Sequence, residues 1–188
     1  VTTSTAKPSV RLSHSSILYN GQMVIFGGYD NSNHYNDVWT LNLTSYHWTE
    51  LATSATKPSA RYQHSSILYN GQMVIFGGYD GSEKDDIWTL NLSSYSWANR
   101  TTSATKPSAR LYQSYILYDG KMVVFGGWGN SGGGSPENDV WRLNFATFNW
   151  AELTKSTTKP SARGGHSFIL YDGQLVMFGG YGGSYVND

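Results

Sequence analysis

The sequence predicts an all-β chain of tandem four-stranded antiparallel sheets, on three observations: a repeat of about 50 residues, an Asn-Gly or Asp-Gly dipeptide at one place in every repeat, and strand-period alternation with no helical stripe. Lys-Pro-Ser recurs at Lys7, Lys57, Lys106 and Lys159, at spacings of 50, 49 and 53 residues. Within each unit the order is fixed: Pro-Ser-X-Arg, an apolar run such as 14–19, a turn, the run Met23 to Gly28, a variable stretch, then Asp37-Val-Trp-Thr-Leu-Asn-Leu43 and Tyr46-His-Trp48.

Each element has its own local reason. Asn20-Gly21, Asn70-Gly71, Asp119-Gly120 and Asp172-Gly173 suit a type I′ turn, which needs positive φ at both central residues, and apolar β-formers flank them, so each joins a hairpin. Val38, Thr40 and Asn42 alternate with Trp39, Leu41 and Leu43, the period of a strand with two unlike faces. The first unit therefore has strands at about 14–19, 22–28, 37–43 and 46–51. The fourth has strands at 165–171 and 174–180 and reaches Asp188 where its third strand is due.

Composition narrows the function classes. Lys+Arg and Asp+Glu are 13 each and unclustered, so the basic footprint of a nucleic-acid binder is missing, and we expect no nucleic-acid partner. The longest apolar runs are four residues, as in Met23 to Phe26, where a membrane helix needs roughly 20; no membrane insertion is expected. Without cysteine the chain can form no disulfide, thiolate nucleophile or Cys-based metal site. The absence of an initiator Met and of a basic-then-apolar leader at Val1 reads as a processed, excised or partial sequence.

The strand ending in Gly27-Gly28, the aromatic at Tyr29, the loop, Trp39 and the spaced Trp48, repeated in one order along the chain, resemble the kelch repeat. That resemblance implies a kelch-type β-propeller whose blades are 1–51, 52–100, 101–153 and a partial fourth, 154–188, with two strands. Three and a half blades make an open or incomplete ring, since kelch rings generally hold five to seven, and unpaired sheet edge invites completion by further blades or by another copy of the chain. The resemblance also implies that the repeated residues are structural: Arg11, Arg61, Arg110 and Arg163; His14, His64 and His166, with Gln113 in the third unit; the pairs Gly27-Gly28, Gly77-Gly78, Gly126-Gly127 and Gly179-Gly180; and Trp39, Trp48, Trp88, Trp97, Trp141 and Trp150. The Gly pairs precede no helix and carry no Lys-Ser/Thr, unlike a phosphate loop.

Symmetry breaks in the loops after the Gly pairs, so a rigid repeat scaffold would carry specificity there. The candidate partner-binding residues are Tyr29, Asp30, Asn33, His34, Tyr35, Tyr79, Asp80, Glu83, Lys84, Trp128, Asn130, Glu137, Tyr181 and Tyr185. By the resemblance these loops share one rim with connections such as 52–60. Trp128 replaces the Tyr of the other units and begins the longest insertion, 129–137. Asp80, Glu83, Asp85 and Asp86 lack the Asp-X-Asp-X-Asp-Gly order of a calcium loop, so no metal and no cofactor is assigned.

Three sequons, at Asn42, Asn91 and Asn99, are candidate N-glycosylation positions, with Asn42 and Asn91 at the turn opposite the rim; they lean toward a secreted glycoprotein. No acid, base and nucleophile set breaks the repeat, and the crosslinked Cys-Tyr copper centre of galactose-oxidase-like kelch proteins needs a cysteine, so catalysis is not expected. The leading expectation is a non-enzymatic scaffold that binds protein or glycan through the rim. The alternative is a structural repeat unit of an extracellular, self-assembling filament or matrix protein, motivated by the half blade, the sequons and the identity of residues 14–30 with residues 64–80.

Overall fold

The computed structural model describes residues 6–102, 105–129, 134–153 and 158–188. Among these the regular elements are all strands, arranged in two compact units: 1–82 with 86–100, and 83–85 with 101–188.

The first unit contains two four-stranded antiparallel sheets. One has the order β1 (Ser15–Tyr19), β2 (Gln22–Phe26), β3 (Val38–Asn42), β4 (Trp48–Glu50); the other has β5 (Ser65–Tyr69), β6 (Gln72–Phe76), β7 (Ile87–Asn91), β8 (Trp97–Asn99). The turns behave as their residues require. Asn20 and Gly21 take φ of 47° and 72°, and Tyr19 pairs with Gln22, which closes a two-residue hairpin.

The core lies between the two sheets and follows strand parity. Val24 and Phe26 of the first sheet pack with Met73, Ile75, Trp88, Leu90 and Trp97 of the second. Met73 and Ile75 are the counterparts of Met23 and Ile25, which point the other way from Val24 and Phe26. Each sheet thus has a forward face, built on its Val and Phe, and a backward face, built on its Met, Leu and second Trp. In the second sheet Met73, Val74, Ile75 and Phe76 are all buried, which is why Met-Val-Ile-Phe is continuously apolar and does not alternate.

In the second unit β10 (Ser114–Tyr118), β11 (Lys121–Gly129), β12 (Ser135–Asn144) and β13 (Asn149–Glu152) form one antiparallel sheet, with β9 (Arg110–Leu111) pairing the far end of β11. A second sheet holds β14 (Ser167–Tyr171) and β15 (Gln174–Phe178). Phe125 packs against His166 and Phe168 of that sheet, at centroid distances of 5.2 and 6.1 Å.

The reading of 129–137 as a loop insertion needs correction at Gly129 and at 135–137, while 130–133 lie outside the described residues. After a register shift between Phe125 and Gly127, pairing resumes as Gly127 with Glu137, Trp128 with Pro136 and Gly129 with Ser135, so the two strands run on past the Gly pair. The other blades hold a rudiment of this ladder, in which Tyr29 bridges Leu12 on one side and His34 on the other. Extra residues on both arms supply the backbone donors and acceptors that extend it.

Candidate functional site

The repeated Arg is the organising group beneath the rim. Arg61 donates from Nη1 to Asp86 Oδ1 (2.5 Å) and Gly77 O (3.1 Å), from Nη2 to Asp86 Oδ2 (2.9 Å) and Ser59 Oγ (3.0 Å), and from Nε to Ser59 O (3.3 Å). All five guanidinium N–H groups are satisfied in a side chain that is 1% exposed. Arg11 with Asp37, Arg110 with Asp139 and Arg163 with Asp188 repeat the bidentate pair. The same carboxylates accept from Trp39, Trp88 and Trp141 Nε1. Burial pushes the Asp86 carboxyl up, yet the hydrogen bond and charge of Arg61 and the Trp88 indole hold it below the usual carboxylate range.

The Asp that closes this clamp was legible as the first residue of Asp-Val/Ile-Trp, at a fixed offset before the repeated Trp. In sequence Asp86 reads as part of an acidic loop with Asp80, Glu83 and Asp85, with nothing local to pair it with Arg61. In that loop Asp85 meets Lys106 at 3.0 Å.

The Gly pairs are places of close approach. Gly27 and Gly28 take φ of 67° and 97°, and a Cβ on Gly27 would stand 2.6 Å from the Arg61 carbonyl oxygen. Gly126 meets the Arg163 carbonyl at the same distance. The repeated His stands at these joints. His64 Nε2 lies 2.7 Å from Ser15 Oγ, with the ring edge-on to Phe26 at 5.2 Å. Burial first, then the Arg61 charge, lowers the His64 pKa to about 3; the same causes, with Arg163, bring His166 to about 4. These imidazoles are neutral packing groups near neutral pH.

The rim residues of the first unit form an aromatic cluster. Tyr29 stacks on Tyr62 at 4.1 Å, His34 meets the Tyr62 ring edge-on at 5.0 Å, and Tyr79 lies 5.6 Å from Tyr62. Tyr62 was missed by the sequence reading; its signal is the residue after the repeated Arg, which varies as Leu12, Tyr62, Leu111 and Gly164. Several other candidates hold their own loops. Asp30 accepts from Ser32 N–H, Asn33 N–H and Tyr35 OH, which bring its pKa to about 2, the Tyr35 bond contributing most. Asp80 accepts from Ser82 N–H. The carbonyls of Lys84 and Glu137 accept from Arg110 and Arg163 N–H.

The second unit departs from this arrangement. Gly164 stands where the first unit has Tyr62, and a Cβ there would meet Trp128 Cδ1 at 2.5 Å. Trp128 stacks on Tyr181 at 5.7 Å, nearly parallel, and Tyr185 meets Tyr181 edge-on at 5.1 Å. Beside these rings lies an open cleft of about 950 Å³ lined by Glu83, Tyr112, Trp128, Tyr181 and Tyr185 near the rim, and by Phe178 beyond it. Asn130 lies outside the described residues.

At the opposite turns Asn42 Oδ1 accepts from Thr44 and Ser45 N–H, and Asn91 Oδ1 from Ser93 and Ser94 N–H. Asn144 makes the same turn without a sequon, accepting from Ala146 N–H. The Asn at this position therefore has a turn-forming role whether or not it is modified. Asn42, Asn91 and Asn99 are all exposed.

Comparison with protein-family models finds the KLHDC2/KLHL20/DRC7 Kelch-repeats domain, matched over residues 1–127 and again over 54–188. The two matches overlap across 54–127, as expected when near-identical units satisfy one model in more than one register. With matches spanning the chain, and sheets built on one Arg–Asp pair and one Gly pair per blade, the chain belongs to the kelch-repeat family.

Proposed function

We propose that the chain binds an exposed segment of a partner protein in the aromatic cleft of the second unit, with Trp128 as its anchor. Kelch-repeat domains generally mediate protein binding and are generally non-enzymatic scaffolds. The observation that carries the finer reading is a break in symmetry. In the first unit Tyr62 covers Tyr29, whereas Gly164 in the second leaves no side chain at that place, and the Trp128–Tyr181 stack stands beside an open cleft. Groups that only maintain the blade repeat in every unit; a group that selects a ligand has no such constraint.

The chemistry of the lining suggests the ligand. Flat aromatic faces with a single carboxylate, Glu83, favour an extended segment that presents an aliphatic or aromatic side chain, or a guanidinium that can stack on Trp128 while facing Glu83. The same rings would also accept the CH face of a sugar, so the test runs both ligand classes side by side. The chain is presented to a random peptide library and to a glycan array, and selected ligands are titrated by calorimetry. We expect peptides to be enriched and Trp128→Ala to weaken them at least about tenfold, or roughly 1.4 kcal/mol. Selected peptides that bind Trp128→Ala as tightly as the parent chain would exclude the cleft as the site, and enrichment of glycans alone would reassign it to sugar.

A further inference from the structure

The apolar contact between the first two sheets stops short of the turns opposite the rim. Val24 and Phe26 pack with Met73, Ile75 and Leu90, but Val24 has Thr40 as its strand partner and Gln22 follows it on the same face. There a cavity of about 270 Å³ opens between the sheets. The first blade contributes Tyr19, Asn20, Gln22 and Thr40 to its wall, and the second contributes Ser93 and Tyr95 from the turn after Asn91. Val24, Leu51 and Leu92 supply the apolar part. All of these residues belong to the first unit.

The backbone of this wall is fixed, while its polar side chains are unspent. Ser54 N–H donates to the Tyr95 carbonyl (3.2 Å) and Ser54 Oγ accepts from Trp97 N–H (2.9 Å), which ties the second blade's turn to the connection from the first. The Tyr19 ring packs on the core, and its hydroxyl reaches the second hairpin turn, 3.9 Å from where a Cβ on Gly71 would stand. Among the described residues, the side-chain polar groups of Tyr19, Asn20, Gln22, Ser93 and Tyr95 make no hydrogen bond within the chain. A fixed wall with hydrogen-bonding groups left over loses little freedom when it takes a ligand.

The third blade separates what the fold needs at these positions from what it does not. Its corresponding turn carries Ala146 and Phe148 where the second blade has Ser93 and Tyr95. Phe148 and Tyr95 both take φ of 54°, and Ala146 N–H bonds to Asn144 Oδ1 as Ser93 N–H bonds to Asn91 Oδ1. The turn therefore forms without either hydroxyl. Ser93 also completes a sequon, whereas Tyr95 has no such second role. Lys121 and Arg142 stand at the counterparts of Gln22 and Thr40, so strand pairing does not demand the neutral groups either. The neutral set belongs to this cavity and not to the repeat.

The chemistry of the lining selects the occupant. No charged side chain lines the cavity, so an ion would find no compensation there. The amides of Asn20 and Gln22 and the four hydroxyls both donate and accept, and they stand beside aliphatic side chains. Hydroxyl groups around the edge of a ring with apolar C–H faces meet both requirements. The volume falls just below the range of about 300–1,000 Å³ typical of drug-sized ligands, which leaves room for one such ring. We propose that this cavity binds a single neutral sugar ring, with the Gln22, Ser93 and Tyr95 side chains bonding its hydroxyls and Val24 and Leu92 against its C–H groups. The site lies in the first unit and does not rest on the ligand reading of the aromatic cleft in the second.

Titration of the isotopically labelled 188-residue chain with glucose, galactose, mannose and N-acetylglucosamine, followed by amide chemical shifts, tests it. At the ordinary efficiency of small ligands an occupant of about twelve non-hydrogen atoms has a Kd on the order of a millimolar. We expect at least one of these sugars to shift the amides around Gln22 and Ser93 to Tyr95, leaving Trp128–Gly129 and Tyr181–Val186 unmoved. Ser93→Ala with Tyr95→Phe installs the residues of the third blade, so the turn is kept, and an unchanged amide spectrum elsewhere confirms the fold. That double variant should bind the sugar about tenfold more weakly, since it loses two hydrogen bonds. Trp128→Ala should bind sugar as the parent does, which separates this site from the cleft. Methyl glycosides run beside the free sugars distinguish the two sources: equal affinity supports the end of a glycan, and loss on methylation supports a free monosaccharide. The proposal is overturned if none of the four sugars shifts an amide at about ten times a millimolar, if the shifts fall in the cleft, or if the double variant binds as tightly as the parent.

Discussion

Asp86→Ala is the perturbation that most sharply tests the Arg–Asp–Trp clamp. Removing the carboxylate leaves the Arg61 guanidinium, 1% exposed, without two of its five acceptors and strips the Trp88 indole of its partner. Breaking a buried ion pair on one side costs about 3–5 kcal/mol, because the charge left behind is neither solvated nor compensated. The neighbouring Asp85 is an internal control. Its pair with Lys106 is 38% and 25% exposed, and a surface pair of that kind contributes about 0–1 kcal/mol. Urea unfolding followed by tryptophan fluorescence reads both. The expected result is a loss of about 3–5 kcal/mol for Asp86→Ala and under about 1 kcal/mol for Asp85→Ala. A double replacement, Arg61→Met with Asp86→Leu, should recover most of the loss, since an apolar pair leaves no charge unpaired. Equal small effects at Asp85 and Asp86 would refute the claim that the clamp, and not the number of charged residues, holds the blade.

Three further outcomes follow from the same geometry. The His64 pKa is about 3 in the fold and about 6.5 in the unfolded chain, so the unfolded state binds more protons between those values and stability falls as pH is lowered from about 6.5. His64→Gln, the residue the third blade already uses at Gln113, should flatten the stability profile between about pH 6.5 and 5, before carboxylates protonate; an unchanged slope in urea midpoints would contradict this. Gly27→Ala should destabilise by about 1–3 kcal/mol, because it combines positive φ with a Cβ set 2.6 Å from a fixed carbonyl, and a midpoint within error of the parent chain would count against the close-approach reading. If Asn42 or Asn91 carries a glycan, material from the native source should lose mass on enzymatic removal of N-linked sugars; an unchanged mass leaves these residues with their turn role alone.

Much of the fold was legible because each blade element has a local cause. Asn20-Gly21 fixed a hairpin through its φ requirement, and the register Tyr19 to Gln22 followed from the turn length. The repeat then carried each local reading to three other places. What escaped were contacts between residues remote in sequence. Arg61 and Asp86 are 25 residues apart, and only their co-occurrence in every unit linked them. Tyr62 was not legible because it stands at a position that varies between units, beside the repeated Arg61, and its contacts with Tyr29 and His34 join residues remote in sequence. Gly129 and Ser135 to Glu137 were read as loop because the Gly and Ser content of their segment resembles a turn, whereas pairing across a bulge places them in strands. Asp30, Tyr35 and Glu137 read as candidate partner-binding residues of the loops, and their hydrogen bonds within the loops and to the blade beneath, which join residues not adjacent in sequence, could not be read from composition.

Hydrogen–deuterium exchange of the chain with and without a selected peptide tests the central claim most directly, since it locates the occupied surface without altering any residue. The account predicts slowed exchange in the segments around Leu111–Tyr112, Trp128–Gly129 and Tyr181–Val186, with no change at the turns after Asn42 and Asn91. Protection at those opposite turns, or at no part of the cleft, would contradict it.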